Sequence, residues 1–278
     1  MKRIMKAKTI VRNRILSLIT GIAVLLFMSV SLSSCDIATN QGGKGTLKVV
    51  MVDAPGNYEE VWVHIVRVEV NNANDEGSGW IVISEPDESY DLLELINGAN
   101  VVLGEAELDE GTYRQIRLIL GNDNYVVIGG QSYPMMTPSA QQTGIKLNVN
   151  AEIEAGFTYT LLLDFDAQRS VVKRGATGTY LLKPVIRAVN TALTGNITGM
   201  VEPAEPGAWV YAIAGSDTVS TTRTIDTGEF TLVGLIDGFY SVSVEPVDED
   251  YESVQIGDVE VKAGQVTNLG VIELTSSE

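Results

Sequence analysis

Apolar and polar residues alternate with a period of two over most of the chain beyond residue 45, the signature of strands with one face buried. "GIKLNVN" points Ile145, Leu147 and Val149 one way and Lys146, Asn148 and Asn150 the other. "TYTLLLDFD" puts Tyr159, Leu161, Leu163 and Phe165 on one face, and "YRQIRLIL" gathers Ile116, Leu118 and Leu120. In "EVWVHIVRVEV" the alternation slips near Ile65 and Val66, so a bulge or burial on both faces is expected there. Asn122-Asp123-Asn124 and Gly129-Gly130 read as hairpin turns. Only "SYDLLELINGAN", residues 89–100, leaves room for a short helical turn. The pattern predicts an all-β protein.

The exception precedes this region. Six basic residues in the first fourteen lead into "ILSLITGIAVLLFM", residues 15–28, which has the length of a signal-peptide apolar core and is short for a membrane span of ~20 residues. Small residues then run to the only cysteine: Leu32-Ser33-Ser34-Cys35. This resembles a bacterial lipobox. The resemblance implies a lipoprotein signal peptide over 1–34, diacylglycerol transfer to the Cys35 sulfur, cleavage before it, and acylation of the new amine. Palmitate-type chains on Cys35 would exceed the single chain that gives only marginal anchoring. Residues 35–45, rich in Gly, Asn and Gln, read as a lipidated tether. The expected place is the envelope of a Gram-negative bacterium, anchored in the outer membrane, periplasmic or surface-exposed; Asp36, at the second mature position, resembles the inner-membrane retention signal of enteric bacteria and leaves that membrane as the alternative.

Charge narrows the partners. The whole chain carries 19 Lys+Arg and 36 Asp+Glu. Loss of the six leader bases takes the net charge from −17 to near −23. Nucleic acid and anionic lipid are poor partners for such a surface. With Cys35 acylated no thiol remains for disulfides, thiolate zinc or a nucleophile.

Composition shifts near 191–195. From Thr194 to Glu278 there are fifteen acids and two bases, Arg223 and Lys262. Turn signals recur about every ten residues, as at Pro206-Gly207, Gly215-Ser216, Asp237-Gly238 and Ala263-Gly264, which suggests a seven-strand sandwich. "GNITGMVEP", "WVYAI", "TIDTGEFTLVGLIDGFYSVSVEP" and "VEVKAGQVTNLGVIEL" resemble the carboxypeptidase regulatory-like, prealbumin-type sandwich, a carbohydrate-binding-like fold. "LKVVMVDAPGNYEEVWVHIVRVEV", "LDEGTYRQIRLIL" and "LLLDFDAQRSVVKRGATGTYLLKPVIRAV" resemble the domain of unknown function 4382 of bacterial lipoproteins. The resemblances imply two β-sandwich-like domains, 46–190 and 194–278, and transfer no activity.

Candidate chemistry is sparse. His64, the only histidine, sits inside a strand, and no G-x-S-x-G elbow accompanies it. Asp164 and Asp166 share a strand face ~7 Å apart, which suits a glycosidase carboxylate pair; the plainer reading pairs them with Arg169, Arg114, Arg117 or Arg187. "NNANDEGSGW" offers Asn72, Asn74, Asp75 and Glu76 to a hard cation but puts Ile83 where an EF-hand needs Glu. Asp248 and Asp250 are weak Ca²⁺ candidates in an acidic turn; no other metal and no cofactor is expected. Asp53, in a strand exit closed by Pro55, could meet a ligand together with Tyr58. Trp62 and Trp209 are expected in the core; Trp80, after a Gly-Ser-Gly loop, is the candidate stacking platform.

The function expected is a non-catalytic, membrane-anchored binding or structural surface module, meeting an unknown protein or glycan in adhesion or glycan capture. Carbohydrate binding through the C-terminal sandwich is the alternative, and a glycoside hydrolase on Asp164 and Asp166 the more distant one.

Overall fold

The computed structural model describes residues 42–72, 79–137, 143–175 and 178–277. In chain order its first strands are β1 (Lys44–Ala54), β2 (Glu60–Asn72), β3 (Trp80–Ser84), β4 (Glu88–Asp91), β5 (Val101–Asp109), β6 (Gly111–Leu120), β7 (Tyr125–Ile128), β8 (Gln131–Met136), β9 (Ile145–Ile153) and β10 (Thr158–Asp166). There follow β11 (Val171–Arg174), β12 (Thr179–Leu182), β13 (Ile186–Asn190), β14 (Thr194–Glu202), β15 (Ala208–Ala214), β16 (Asp217–Arg223), β17 (Glu229–Ile236), β18 (Gly238–Pro246), β19 (Val254–Val261) and β20 (Val266–Glu273). The fold is all-β and sandwich-like, as the period-two pattern predicts.

Strands β1–β13 form two facing sheets. One has the order β13-β10-β1-β5; the other is nine-stranded, running β11-β12-β8-β7-β2-β6-β9 with β3 and β4 also paired to β2. Alternate residues of β1 and β10 (Leu47, Val49, Met51; Leu161, Leu163, Phe165) meet Val61, Val63, Ile65, Ile116 and Leu118 of the other sheet in one buried cluster. Each fully buried side chain of this kind contributes ~1.5–3 kcal/mol. The slip in β2 is a bulge: its register to β6 shifts between Ile65 and Arg67, and the buried parity changes from Ile65 to Val68.

Strands β14–β20 form a three-stranded sheet, β17-β14-β20, facing a four-stranded one, β16-β15-β18-β19. Ile197, Phe230 and Leu232 fill the space against Val210, Ala212, Val242 and Val244. These seven strands match the expected sandwich. The two sheet pairs touch through a smaller apolar cluster: Val50, Val52 and Leu162, on the outer face of the first sheet, pack with Val189 and with Val233 of β17. That contact buries β1 and β10 on both faces. All four sheets belong to one compact unit, Gly43–Glu278.

One turn expectation needs correction. Asn122–Asn124 does not join a hairpin. β6 and β7 both pair with β2, at Ile65↔Leu120 and Trp62↔Tyr125, so they run on in line with a break between them. Asn124 makes the break affordable: its side chain accepts from the His64 N–H at 2.9 Å and donates to the Gly121 carbonyl at 2.8 Å. Ala263-Gly264 is a turn, as expected, and it carries the chain from one sheet to the other, since β19 pairs with β18 and β20 with β14. Gly129-Gly130 is the predicted two-residue hairpin, both residues at positive φ, between Ile128 and Gln131. The helical turn of 89–100 is a 3-10 turn, Leu92–Glu94, capped by the Asp91 carboxylate on the Leu93 N–H.

Candidate functional site

A crevice of about 820 Å³ opens where the two sheet pairs meet. One wall comes from the strand exit after β1 and the turn after β10: Pro55, Asn57, Asp166, Gln168 and Arg169. The other comes from β15, the β15–β16 turn and β16, including Trp209, Tyr211, Thr218 and Thr221. Asp164 and Arg187 lie at its floor.

The floor is an ion pair in strand register. Asp164 on β10 stands opposite Arg187 on β13. The Arg187 guanidinium donates to Asp164 Oδ2 from Nε at 3.1 Å and from Nη2 at 2.7 Å. Its Nη1 donates to the Gly234 carbonyl at 2.7 Å, and Nη2 also reaches the Val233 carbonyl at 3.4 Å. Gly234, at φ +68, lies against Leu162 and Arg187 where a Cβ would crowd both. One arginine thus holds a buried carboxylate by Oδ2 and fastens β17 to the first sheet. Burial pushes the Asp164 carboxyl above the ordinary carboxylate range, and Arg187 pulls against that rise.

Asp166 is occupied differently. It caps a single helical turn, Ala167–Ser170, accepting from the Arg169 N–H at 2.8 Å, with the Arg169 guanidinium 3.8 Å away. Burial raises its carboxyl too, while the capping bond and Arg169 lower it. Both aspartates therefore border a concavity, as a hydrolase pair would, yet both are held by arginine or backbone N–H groups, as the plainer reading requires.

Asp53 is not an open loop residue. It lies within β1, 4% exposed, and its Oδ1 accepts from the Ala167 N–H at 3.0 Å; Oδ2 is buried with no hydrogen-bond partner. Burial raises its carboxyl well above the usual range, and the nearby Asp164, Asp166 and Asp91 add to the rise. Tyr58 packs its ring against the first core, and its phenol is raised mainly by burial. The pair expected to meet a ligand beside Pro55 is thus mostly turned inward.

The tryptophans also depart from expectation. Trp62 and Trp209 are half-exposed on outer strand faces. Trp62 stacks on Tyr125 at 5.8 Å and donates from Nε1 to Glu60. Trp209 lines the crevice, because its neighbours Ala208 and Val210 take the buried parity of β15. Trp80 is no open platform: the Arg117 guanidinium lies 4.1 Å from its ring centre and the Lys146 ammonium 5.9 Å. Arg117 is fixed in turn by the buried Glu69, which also pairs with Arg67.

His64 is a strand histidine, with Nε2 3.1 Å from Asp87 Oδ1 and Nδ1 3.9 Å from Asp123 Oδ2. Asp248 accepts from the Asp250 N–H at 3.0 Å within a turn. Among the described residues no three His, Cys, Asp or Glu side chains gather as a metal site. Asn74, Asp75 and Glu76, and Cys35 with Leu32, Ser33 and Ser34, lie outside the described residues.

Two contributors had faint signals in the sequence. Tyr211 shares the face of Trp209 in "WVYAI", readable from the small apolar residues between and after them. Asn97 is announced only by its Asn-Gly turn dipeptide. At φ +56 it reaches the second sheet pair, donating to the Arg223 carbonyl at 2.6 Å and accepting from Thr222 Oγ1 at 3.0 Å and the Thr231 N–H at 2.9 Å.

The family model described as Domain of unknown function (DUF4382) matches residues 44–184, just over half of the chain. No curated protein matches the chain. Among solved structures, a mutant type II cohesin–X-dockerin complex from Acetivibrio cellulolyticus is 18% identical over 30% of this chain and 58% of its own, with a TM-score of 0.24. This chain thus spans little more than half of that one. The Bacillus anthracis TIE protein is 13% identical over 84% of this chain and 34% of its own, with a TM-score of 0.25. The shaft pilin SpaA from Lactobacillus rhamnosus GG is 10% identical over 84% and 98%, with a TM-score of 0.23. Likeness at these scores carries no argument about function.

Proposed function

The chain belongs to the DUF4382 family, and from that premise we propose that it is a non-catalytic, lipid-anchored module of the bacterial envelope that binds or supports a partner outside the cell membrane. Residues 46–190 and 194–278 act as two domains held in fixed relation, and acylated Cys35 with its tether keeps them at the outer membrane.

One observation carries the non-catalytic part. The carboxylate best placed for hydrolysis, Asp164, has its Oδ2 taken by two Arg187 bonds, and the same guanidinium is tied to β17. A carboxylate gripped by a forked arginine that also ties down β17 is fixed as part of the framework, and the pair serves as a joint. The anchored part rests on the order of basic start, apolar core and Leu32-Ser33-Ser34-Cys35.

Radiolabelled palmitate feeding and membrane fractionation of wild type and Cys35→Ala test the anchor: label and membrane residence should both vanish in the variant. Asp164→Asn tests the chemistry. Loss of a glycosidase turnover in a variant that folds like wild type would overturn the non-catalytic reading.

A further inference from the structure

We propose that the crevice between the two sheet pairs is a carbohydrate-binding cleft, with Trp209 and Tyr211 as its stacking wall; this rests on the binding-module reading above and gives it a ligand class.

The aromatic pair is built into a strand. Trp209 and Tyr211 are two residues apart on β15, so their side chains leave the same face ~7 Å apart. Val210 and Ala212 between and beyond them are fully buried in the second core. That core holds the strand, and with it the spacing of the two rings, before any ligand arrives. Consecutive pyranose rings of an oligosaccharide can follow such a pair, each laying its apolar C–H face on an aromatic ring. Trp209 does have a cation nearby, but the Arg223 guanidinium is 5.6 Å from its ring centre, farther than the 4.1 Å of Arg117 over Trp80. Trp209 and Tyr211 both line the crevice.

The facing wall supplies what hydroxyl-rich ligands need. Gln168 and Arg169 are exposed planar groups at the mouth of the turn that Asp166 caps. Gln168 Oε1 accepts from the Asn57 N–H at 2.8 Å, which orients the amide across the turn. Thr218 and Thr221 add hydroxyls from β16 on the aromatic side. Apolar faces with a few convergent polar groups, placed at a junction between packed units, are the usual make-up of small-ligand sites. Arg187 fixes the geometry from below, since it binds Asp164 on β10 and the Gly234 carbonyl on β17. An extended peptide would instead add to the edge strand β16 and would not need the aromatic pair.

The full acylated chain in detergent micelles is titrated with maltohexaose, cellohexaose, mannohexaose and chitohexaose, followed by calorimetry and tryptophan fluorescence. At least one hexasaccharide should bind saturably. Trp209→Ala and Tyr211→Ala should each weaken it by about tenfold or more, Trp209→Phe should retain most of the affinity, and Trp80→Ala should leave it unchanged. The proposal fails if none of the four binds, if Trp209→Ala binds as wild type does, or if a displayed peptide library occupies the cleft while the sugars do not. Binding lost with Trp80→Ala but not with Trp209→Ala would overturn the cleft and leave the binding-module reading standing. Cleavage of a bound hexasaccharide would overturn that reading itself.

Discussion

Asp164 and Arg187 face each other in register across β10 and β13, 2.7 Å apart, and the arginine continues from that pair to the backbone of β17. Removing one partner of a buried pair leaves the other charge uncompensated, at a cost of ~3–5 kcal/mol. Arg187→Ala should therefore lower the unfolding free energy, read from urea denaturation, by an amount of that order. Arg187→Lys should recover only part, because an ammonium cannot donate in a fork to Asp164 and still reach Gly234. Replacing both, as Asp164→Leu with Arg187→Met, should be milder than Arg187→Ala alone. If the double variant is the worse of the two, the pair is not the joint described here.

Asn97 is the second tie between the sheet pairs. Its side chain makes three bonds to residues 222–231, and its φ of +56 suits Asn or Gly better than Ala. Asn97→Ala should cost ~1–3 kcal/mol from the groups left unpaired. Asn97→Gly removes the same bonds without the backbone strain, so it should fall between Ala and wild type. Limited proteolysis should cut both variants faster near residues 191–195 than it cuts wild type. Equal cleavage rates would place the rigidity elsewhere.

Most of the strand content was legible because strands such as β6, β15 and β18 bury one clear face. Ile116, Leu118 and Leu120 are read correctly from alternation alone, and the bulge after Ile65 shows in the sequence as a slipped phase. The residues that failed are those whose environment is set by distant strands. Asp53 looks like a turn residue beside Pro55, but β10 and the turn after it close over its carboxylate. Trp80 looks free after its glycines, yet Arg117, positioned by Glu69 from β2, lies over the ring. Trp209 looks like core because its strand is apolar; the parity of that strand is decided by which face meets β17. The crevice itself has no local signal, since its two walls are separated by some forty residues or more along the chain.

Gly121 and His64 make a steric pair. A Cβ on Gly121 would collide with the His64 imidazole, while the Gly121 N–H donates to the His64 carbonyl at 2.9 Å. Neither can move alone without breaking the bridge made by Asn124. Gly121→Ala should destabilise by ~1–3 kcal/mol through overpacking. In a His64→Ala background the same change should cost little. A double-mutant cycle by chemical denaturation measures the difference, and additive effects would remove the contact as the cause.

The buried carboxyls set how stability responds to pH. Burial is the leading cause of the rise at Asp53, Asp91, Asp164 and Asp166, and Asp53 is raised furthest in kind, having one oxygen with no partner. A carboxyl raised in the folded state keeps its proton there at pH values where the unfolded chain, titrating near ~3.9, has lost it. The folded state then binds more protons, so stability falls as pH rises from that unfolded value through the raised one, and is flat again above it. The melting temperature should therefore decline between mildly acidic and neutral pH, by a few degrees for each ~1–2 kcal/mol of lost stability. Asp53→Asn keeps an oxygen for the Ala167 N–H and removes the ionisation. It should flatten that decline and, at neutral pH, melt no lower than wild type. Calorimetry across mildly acidic to neutral pH decides it: an unchanged slope in the variant would mean that Asp53 is ionised in the folded protein and that the decline belongs to the other three.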